Sequence, residues 1–398
     1  QAEDGIRDRS PSRGLGDVYK RQPLHKTSGT NWLFVKIITD KDIVGWGEGS
    51  LQYKDFALES EILDMKKYLI GKNPLNIENI WVSLFRRVTW SGGAVTMSAI
   101  SAIDLALWDI KGKAYGVPVY DLVGGKTRDK VKVYANGWFE KINLSSPAAR
   151  NSSPKLYAEE AEKLIEKGWR ALKFYPFGGP QTTSLEQIKD GINLVDSVRN
   201  AVGDLVEIGV DIRARLNTWS AMRVEKELRP YNIAWLEEPI LYDNSKPMIE
   251  FAKSSEIPIS TGEQLYNRWE FRPIIESGVI PILQPDICHA GGFSELRKIS
   301  FAAETYYSSI APHNSNGPIS TIASIHLGMS IPNIFMQEIF VSFLERYNLL
   351  LSDPPNISKG YVTISDKPGW GTDLIEKNIL KYPAGDFKQV ESEPYQEF

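Results

Sequence analysis

The feature that most constrains the fold of this chain is a series of polar residues that recur at nearly regular intervals. Each member follows a short apolar segment, and consecutive members are 26, 26, 23, 27 and 25 residues apart. The series consists of Asp211, Glu237, Glu263, Asp286, His313 and Glu338. An interval of this size holds one β-strand, one helix and their loops. The spacing therefore predicts repeated βα units, in which the polar residues mark successive strand ends.

The apolar segments themselves support this prediction. After Lys130, eight short apolar runs alternate with amphipathic helical segments such as 155–167 and 294–306. The runs are 131–135, 171–175, 206–210, 234–236, 258–261, 280–284, 309–311 and 334–336. Eight strands with intervening helices fit a (β/α) barrel better than an open doubly wound sheet. No glycine-rich dinucleotide fingerprint opens the first βα turn, which also argues against a dinucleotide-binding fold.

The part of the chain before Lys130 has a different pattern. Residues 32–39 and 43–47 form two strand-like runs joined by a polar turn, which predicts a hairpin. Within 96–115, apolar residues recur at three- and four-residue spacing, which predicts a long helix. The amino-terminal region is therefore predicted to be an α+β domain that is distinct from the barrel.

These patterns divide the chain into four segments. Residues 1–22 lack both an apolar period and the apolar core of a secretory signal, so we interpret them as a non-native or disordered segment. We assign residues 23–129 to the α+β domain and residues 130–358 to the (β/α) barrel. Residues 359–398 are predicted to return to the amino-terminal domain.

Composition excludes several classes of protein. Of the 398 residues, 42% are hydrophobic, which is too apolar for a disordered chain. The formal net charge of −4 argues against a nucleic-acid-binding protein, which would carry a basic surplus. The single cysteine, Cys288, can form neither an internal disulfide nor a zinc cluster. No stretch reaches the roughly 18 apolar residues of a membrane span, so we expect a soluble, cytoplasmic protein with no nucleic-acid or membrane partner.

Three carboxylates in the series predict a metal site. Asp211, Glu237 and Glu263, here called the carboxylate triad, follow three consecutive strands whose carboxyl ends lie at one rim of a barrel. Three acidic groups close together repel one another unless a cation lies among them. Since all the candidate ligands are carboxylate oxygens, Mg²⁺ is the ion that fits best.

Five further residues are candidates for the chemistry at this rim. Asp286 and His313 follow adjacent strands, so Asp286 can orient the imidazole and raise its basicity. Lys173 and Tyr175 lie two residues apart and share one face of the second strand. An inward-facing Lys173 would add positive charge beside the metal. Glu338 would either donate a hydrogen bond to a developing oxyanion, if protonated, or form a salt bridge.

The chain resembles the enolase superfamily, specifically its mandelate racemase and acid-sugar dehydratase branch. The matching motifs are GWGE at 45–48, AIDLALWD at 102–109, GGKTR at 124–128, YANGW at 134–138, LEEP at 236–239, GE at 262–263, QPD at 284–286 and the stretch around His313. They extend over nearly the whole chain after Trp32. The members that it resembles most are gluconate and galactonate dehydratases.

This resemblance implies a (β/α)7β barrel beneath an α+β capping domain, and a Mg²⁺-dependent dehydratase of a small-molecule sugar acid. A base would take the α-proton of a carboxylate bound to the ion, and loss of the β-hydroxyl would give a 2-keto-3-deoxy acid. The resemblance implies the carboxylate triad as metal ligands and His313 with Asp286 as the base. Lys173 and Glu338 would help to hold the carboxylate oxygens. It also implies a homo-oligomer.

Two positions depart from the pattern of this branch. Tyr175 stands where the similar enzymes usually carry an acid, and Arg213 stands where they commonly carry a histidine. In galactonate dehydratases that histidine assists departure of the hydroxyl, whereas arginine is a poor proton donor. Arg213 could instead bind a second carboxylate bidentately, which favours a diacid such as an aldarate. Tyr175 would act as an acid or base if Lys173 or Arg213 lowers its pKa, and otherwise it fills space.

Two other functions are compatible with the same residues. A racemase, epimerase or cycloisomerase would use the same enediolate step, and loss of water would distinguish a dehydratase from it. A catalytically impaired relative would bind metal and ligand without turnover. Arg213 and Tyr175 favour this alternative, whereas the presence of Lys173, the carboxylate triad, Asp286 and His313 argues against it. The resemblance places the determinants of specificity in loops of the capping domain, here residues 49–56 and 90–93.

Overall fold

The computed structural model of the protein describes residues 19–23, 31–86, 90–139, 153–177 and 183–382. Most of the segment interpreted as non-native or disordered, residues 1–18, lies outside the described residues. Its last residues belong to a strand, Tyr19–Pro23, which pairs antiparallel with the next strand at Asn31 and Trp32.

The amino-terminal domain combines one antiparallel sheet with three helices. Its strands are β1 (Tyr19–Pro23), β2 (Asn31–Ile38) and β3 (Val44–Glu48). Its helices are α1 (Asp55–Met65), α2 (Ile77–Arg86) and α3 (Gly93–Tyr115), with short 3-10 turns at Lys66–Tyr68 and Val119–Val123. The pairing of β2 with β3 confirms the predicted hairpin.

Helix α3 contains the predicted helix 96–115 and begins three residues earlier. It ends at Gly116, whose φ of 70° provides the left-handed conformation that commonly terminates helices. Within the described part of the chain, it is the one helix that is long and apolar enough to cross a membrane. Most of it is buried inside the protein, so it serves here as a core helix.

The second region alternates strands and helices. Its parallel strands, in chain order, are β4 (Val131–Asn136), β5 (Ala171–Phe174), β6 (Glu207–Asp211), β7 (Trp235–Glu237), β8 (Ile259–Thr261), β9 (Ile282–Leu283), β10 (Ser309–Ile310) and β11 (Gln337–Phe340). The helices that follow them are α4 (Pro154–Glu166), α5 (Leu185–Val202), α6 (Thr218–Leu228), α7 (Ser245–Ser254), α8 (Arg268–Ser277), α9 (Gly292–Glu304), α10 (Pro318–Ser330) and α11 (Leu344–Leu350). Short 3-10 turns lie at Arg229–Tyr231 and Val341–Phe343.

The strand pairings close on themselves. Strands β4 to β10 pair with their chain neighbours in parallel. Ile310 of β10 forms a parallel bridge with Ile334, and β11, on the same segment, pairs in parallel with β4. The ring of pairings and the order of elements confirm the predicted (β/α)7β arrangement.

The position of the eighth strand differs from the prediction of 334–336. The longer ladder lies at Gln337–Phe340, because this segment bridges β10 at Ile334 and only afterwards aligns with β4. Glu338 therefore lies inside the strand rather than beyond its end.

The carboxyl-terminal segment contacts both regions. Strands β12 (Asn356–Ser358) and β13 (Tyr361–Thr363) form a hairpin, and β13 pairs antiparallel with β4. Further on, Trp370 Nε1 donates a hydrogen bond to the Trp46 carbonyl at 3.1 Å. Lys36 forms an ion pair of 2.5 Å with Glu376 of the short helix α12 (Glu376–Ile379). The tail thus completes the capping domain. Residues 383–398 of the predicted returning segment lie outside the described residues.

Two glycines allow β3 to pack directly against α3. A Cβ atom at Gly45 would lie 2.1 Å from the carbonyl oxygen of Ala106, and one at Gly47 would lie 1.9 Å from that of Ala102. Backbone oxygens cannot move away like a flexible side chain, so any larger residue would push the sheet off the helix.

We therefore expect Gly47→Ala to lower the free energy of unfolding by about 2–3 kcal/mol. Urea denaturation measures this change. Gly328→Ala on α10 is the control, because its Cβ would come no closer than 3.3 Å to the nearest atom, a side-chain carbon of Val131. Equal losses in the free energy of unfolding of the two variants would contradict the close approach of β3 to α3.

Candidate active site

The carboxylate triad lies at the carboxyl ends of three adjacent strands. Asp211 and Glu237 are the last residues of β6 and β7 and are partners in the parallel register. Glu263 comes two residues after the end of β8. Asp211 and Glu237 are buried and Glu263 is half-buried. The structure therefore brings together the three strand ends that the spacing predicted.

The electrostatics of the triad show how closely its charges interact. Burial and the charge of Glu237 raise the pKa of Asp211, whereas the charge of Lys173 lowers it. Glu263 raises it further, and the pKa of Asp211 is about 8. Repulsion of this kind is relieved when a divalent cation binds among the carboxylates. The hard oxygen donors and their mutual repulsion are thus compatible with Mg²⁺.

Lys173 is the cation that already lies among these acids. Its Nζ is buried, contacts Glu237 Oε1, and lies 2.9 Å from Glu338 Oε1 and 4.0 Å from Asp211 Oδ2. Burial lowers the pKa of Lys173, but Glu237 and Glu338 outweigh this effect and raise it well above its ordinary value. Lys173 therefore stays an ammonium, and a metal ion at the triad would compete with it for Glu237 Oε1.

Glu338 is ionised in this arrangement. Burial raises its pKa, but Lys173 and His313 lower it below its ordinary value. Its Oε2 accepts a hydrogen bond of 2.6 Å from the Asn314 amide, and its Oε1 accepts one of 2.7 Å from Asn136 Nδ2. An ionised carboxylate accepts hydrogen bonds and cannot donate one to an oxyanion, so the geometry corresponds to the salt-bridge alternative for Glu338.

His313 and Asp286 lie within hydrogen-bond distance. The distance from His313 Nδ1 to Asp286 Oδ2 is 2.7 Å. Asp286 is held in turn by the Cys288 amide at 2.7 Å and by Asn316 Nδ2 at 2.8 and 3.0 Å. His313 Nε2 lies 3.4 Å from Glu263 Oε2, so the other ring nitrogen faces the triad.

The charge around His313 raises its affinity for a proton, so without a cation at the triad the imidazole is protonated at neutral pH. Burial lowers the pKa of His313, but Glu263, Asp286 and Glu338 outweigh burial and raise it to about 10. Burial alone would raise the pKa of Asp286, but His289 and His313 lower it below its ordinary value. Asp286 is therefore ionised and acts as the acceptor that orients the His313 ring.

Tyr175 and Arg213 lie against each other. Tyr175 directly follows β5, and the Arg213 guanidinium carbon lies 5.1 Å from the centre of its ring. Phe139 packs edge-on against the same ring at 4.5 Å. The backbone amide of Arg213 donates a hydrogen bond of 2.6 Å to Asp211 Oδ1. Tyr175 and Arg213, the two residues that depart from the family pattern, therefore lie next to each other in the site.

Two residues that we did not assign from the sequence also lie here. Glu238 is buried, accepts a hydrogen bond of 2.7 Å from the Gly262 amide, and has one carboxylate oxygen without a partner among the described residues. Burial and the charge of Glu263 raise the pKa of Glu238 to about 8. His289 Nδ1 lies 3.5 Å from Asp286 Oδ2. The signals available in the sequence were the second acid of the LEEP motif and a histidine three residues after Asp286.

Within the described ranges, a second group of potential metal ligands lies beside the triad. One ligand atom each of Asp286, His289 and His313 lies within 4.8 Å of the others. Asp286 is already occupied by hydrogen bonds from the Cys288 amide and Asn316. His289 Nε2 lies 2.9 Å from the Ser50 carbonyl oxygen. These contacts are those of an aspartate that orients a histidine for proton transfer.

Glu48 connects the capping domain to the barrel at the start of α10. It is buried and accepts hydrogen bonds from the amides of Gly317 at 2.5 Å and Ser320 at 3.0 Å, at the amino terminus of α10. A carboxylate at this position satisfies free amides and complements the helix dipole. Burial raises the pKa of Glu48 to about 7 in spite of the hydrogen bonds.

This shift predicts a pH-dependent stability. Between the ordinary value of 4.5 and about 7, the folded protein holds a proton on Glu48 that the unfolded chain releases. The stabilisation is complete below pH 4.5 and is lost as the pH rises through about 7, with a total of about 3 kcal/mol. Urea denaturation at several pH values should therefore show that the free energy of unfolding falls more steeply with rising pH in the wild type than in Glu48→Gln. Glu256→Gln, at an exposed ion pair with Arg229, is the control, and equal slopes for wild type and Glu48→Gln would contradict the shift.

The comparisons with known proteins agree with this arrangement. Residues 17–124 match the mandelate racemase / muconate lactonizing enzyme N-terminal domain, and residues 156–378 match the enolase C-terminal domain-like family. The D-galactonate dehydratase of Pectobacterium atrosepticum is 33% identical over 362 residues, covering 88% of this chain and 90% of the relative. That of Xanthomonas axonopodis pv. citri is 34% identical over 364 residues, with the same coverage.

Solved structures show the same relationship. A mandelate racemase/muconate lactonizing enzyme from Jannaschia sp. has a TM-score of 0.86 at 30% identity, covering 93% of this chain and 97% of that one. A member of the enolase superfamily from Salmonella Typhimurium has a TM-score of 0.84 at 30% identity, covering 91% and 97%. The chain therefore belongs to the enolase superfamily, in its mandelate racemase and muconate lactonizing enzyme group.

Proposed function

We propose that the protein is a lyase, a Mg²⁺-dependent dehydratase of a sugar acid. The observation that carries this proposal is the position of His313, whose Nδ1 is held by Asp286 while its Nε2 faces the carboxylate triad. A base next to a metal site is the arrangement needed to remove a proton α to a carboxylate. The similarity to two D-galactonate dehydratases supports dehydration as the overall reaction.

The carboxylate triad would hold the metal ion. Asp211, Glu237 and Glu263 supply oxygen ligands from neighbouring strand ends, and their mutual repulsion supports a divalent cation among them. When bound, the ion supplies positive charge that stabilises the substrate carboxylate as its α-carbon loses a proton.

The residues of the chain would perform the remaining steps. With the charge of Glu263 offset by a cation at the triad, His313 Nε2 would be free to take the α-proton, and Asp286 keeps the proton on Nδ1 and stabilises the imidazolium that forms. Lys173 provides a permanent ammonium that can hold a carboxylate oxygen of the substrate. Glu338 keeps Lys173 in place through their 2.9 Å ion pair. A general acid then protonates the β-hydroxyl, which departs as water and leaves an enol that tautomerises to a 2-keto-3-deoxy acid.

Proton NMR in D₂O with Mg²⁺, across a panel of aldonic and aldaric acids, tests the proposal. A new deoxy-methylene signal is the expected result, because only loss of water creates it. Deuterium incorporation at the α-carbon without loss of water would instead establish a racemase or epimerase, which shares the proton-abstraction step. Ligand and Mg²⁺ binding without any exchange would establish a binding relative. We also propose a cytoplasmic location and a homo-oligomer, which fractionation and light scattering test.

A further inference from the structure

Arg213 presents a charged group beside the candidate site. Among the residues that the structure describes, its guanidinium forms no hydrogen bond and no ion pair. It lies over the Tyr175 ring at 5.1 Å, and the charges of Asp211 and Glu263 act on it. The Arg213 side chain is exposed. By contrast, the Arg229 and Arg268 guanidiniums form ion pairs with Glu225 and Glu295. The donors of Arg213 are thus available to a ligand.

The backbone around Arg213 is held in an unusual conformation. Arg213 and Ala214 have φ values of 59° and 52°, in the left-handed region that favours glycine. Three hydrogen bonds hold this turn. Asp211 Oδ1 accepts from the Arg213 amide at 2.6 Å, and the carbonyls of Glu237 and Glu238 accept from the amides of residues 212 and 214 at 3.0 and 2.7 Å. Because hydrogen bonds from three consecutive amides hold this turn, the Cα atom of Arg213 is fixed beside the triad.

The chemistry of guanidinium identifies the group that would pair with it. Arginine stays protonated and offers a planar pair of donors that matches a carboxylate. Lys173 and the triad already account for one carboxylate of the substrate. We propose that Arg213 binds a second carboxylate, so that the substrate class is a sugar diacid, an aldarate. This inference rests on the proposed function and defines its substrate.

The test compares matched acids that differ in one terminal group. The Mg²⁺-loaded protein is assayed with glucarate and gluconate, and with galactarate and galactonate, by kcat/KM and by isothermal titration calorimetry. We expect the wild type to prefer the diacids. Arg213→Met should lower kcat/KM for diacids by about 10- to 100-fold, the range for losing a charged hydrogen-bonded pair, and change that for monoacids much less.

Three further variants make the test specific. Arg213→Lys keeps the charge but not the paired donors, so it should recover only part of the diacid preference. Arg213→His restores the residue that the similar dehydratases commonly carry and should shift preference towards monoacids. Arg223→Met is the control, because Arg223 packs on Trp219 at 4.5 Å on α6 and should leave the preference unchanged.

The outcomes separate this inference from the proposed function. Dehydration of monoacids in preference to diacids, or an equal loss for both in Arg213→Met, would overturn the role of Arg213 and leave the dehydratase proposal intact. If neither series is turned over, calorimetry decides. Tighter diacid binding that Arg213→Met abolishes supports the second-carboxylate site, and equal binding overturns it. Tighter binding of 6-phosphogluconate than of glucarate would overturn the diacid class in favour of a phosphate.

Discussion

Replacement of His313 by asparagine should abolish exchange of the substrate α-proton with deuterium while leaving the protein folded. Asparagine can still donate a hydrogen bond to Asp286, which His313 Nδ1 contacts at 2.7 Å, but it has no basic nitrogen to face the triad. General bases contribute on the order of 10²- to 10⁴-fold to rate. We therefore expect a loss of at least about 10²-fold in the exchange rate, measured by NMR in D₂O with Mg²⁺.

His289→Asn is the matched control for this experiment. His289 belongs to the same cluster, but its Nε2 lies 2.9 Å from the Ser50 carbonyl oxygen. Its replacement should therefore slow exchange far less than the loss of His313. Unchanged exchange in His313→Asn, with circular dichroism showing a native fold, would overturn the assignment of His313 as the base.

Replacement of Lys173 by methionine should lower the free energy of unfolding by about 3–5 kcal/mol. The side chain of Lys173 is buried between Glu237 and Glu338, and its removal leaves both carboxyl groups without their cation. Uncompensated buried charges are among the most destabilising features of a folded protein. Urea denaturation in the presence of EDTA measures the effect without added metal.

Two other variants identify the cause. In Lys173→Met with Glu338→Gln, one unpaired charge is removed, so part of the lost stability should return. Lys126→Met breaks an ion pair whose Asp366 partner is exposed, and it should lower stability by less than about 1 kcal/mol. A Lys173→Met variant no less stable than Lys126→Met would show that the cluster does not depend on the ammonium.

Much of the barrel could be predicted from the sequence because strand and helix periodicities are local. The runs at 131–135 and 171–175 correspond to β4 and β5 within one residue at each end. The prediction was less accurate where one segment pairs with two neighbours. Residues 334–336 have the apolar pattern of a strand, but the ladder with β4 begins at Gln337. Apolar pattern does not reveal which neighbour a residue pairs with.

The candidate site, like the barrel, could be predicted from the sequence only in part. The intervals of 23 to 27 residues placed the polar side chains at successive strand ends, and neighbouring strands in a parallel barrel necessarily bring such ends together. The partners of each group were not predictable. Lys173 was expected beside a metal, and the structure pairs it with Glu237 and Glu338. Which charges meet depends on side-chain direction and burial, and neither follows from spacing.

The sequence by itself determined the repeated βα units, the hairpin and long helix that precede them, and the set of acids and the histidine at the strand ends, since each depends on periodicity within a short window. The tertiary structure decided the contacts between distant segments. Glu48 meets the Gly317 amide across 269 residues, and the Arg213 guanidinium lies over the Tyr175 ring. Such contacts arise only when the whole ring of strands closes and burial selects which polar groups must pair with one another.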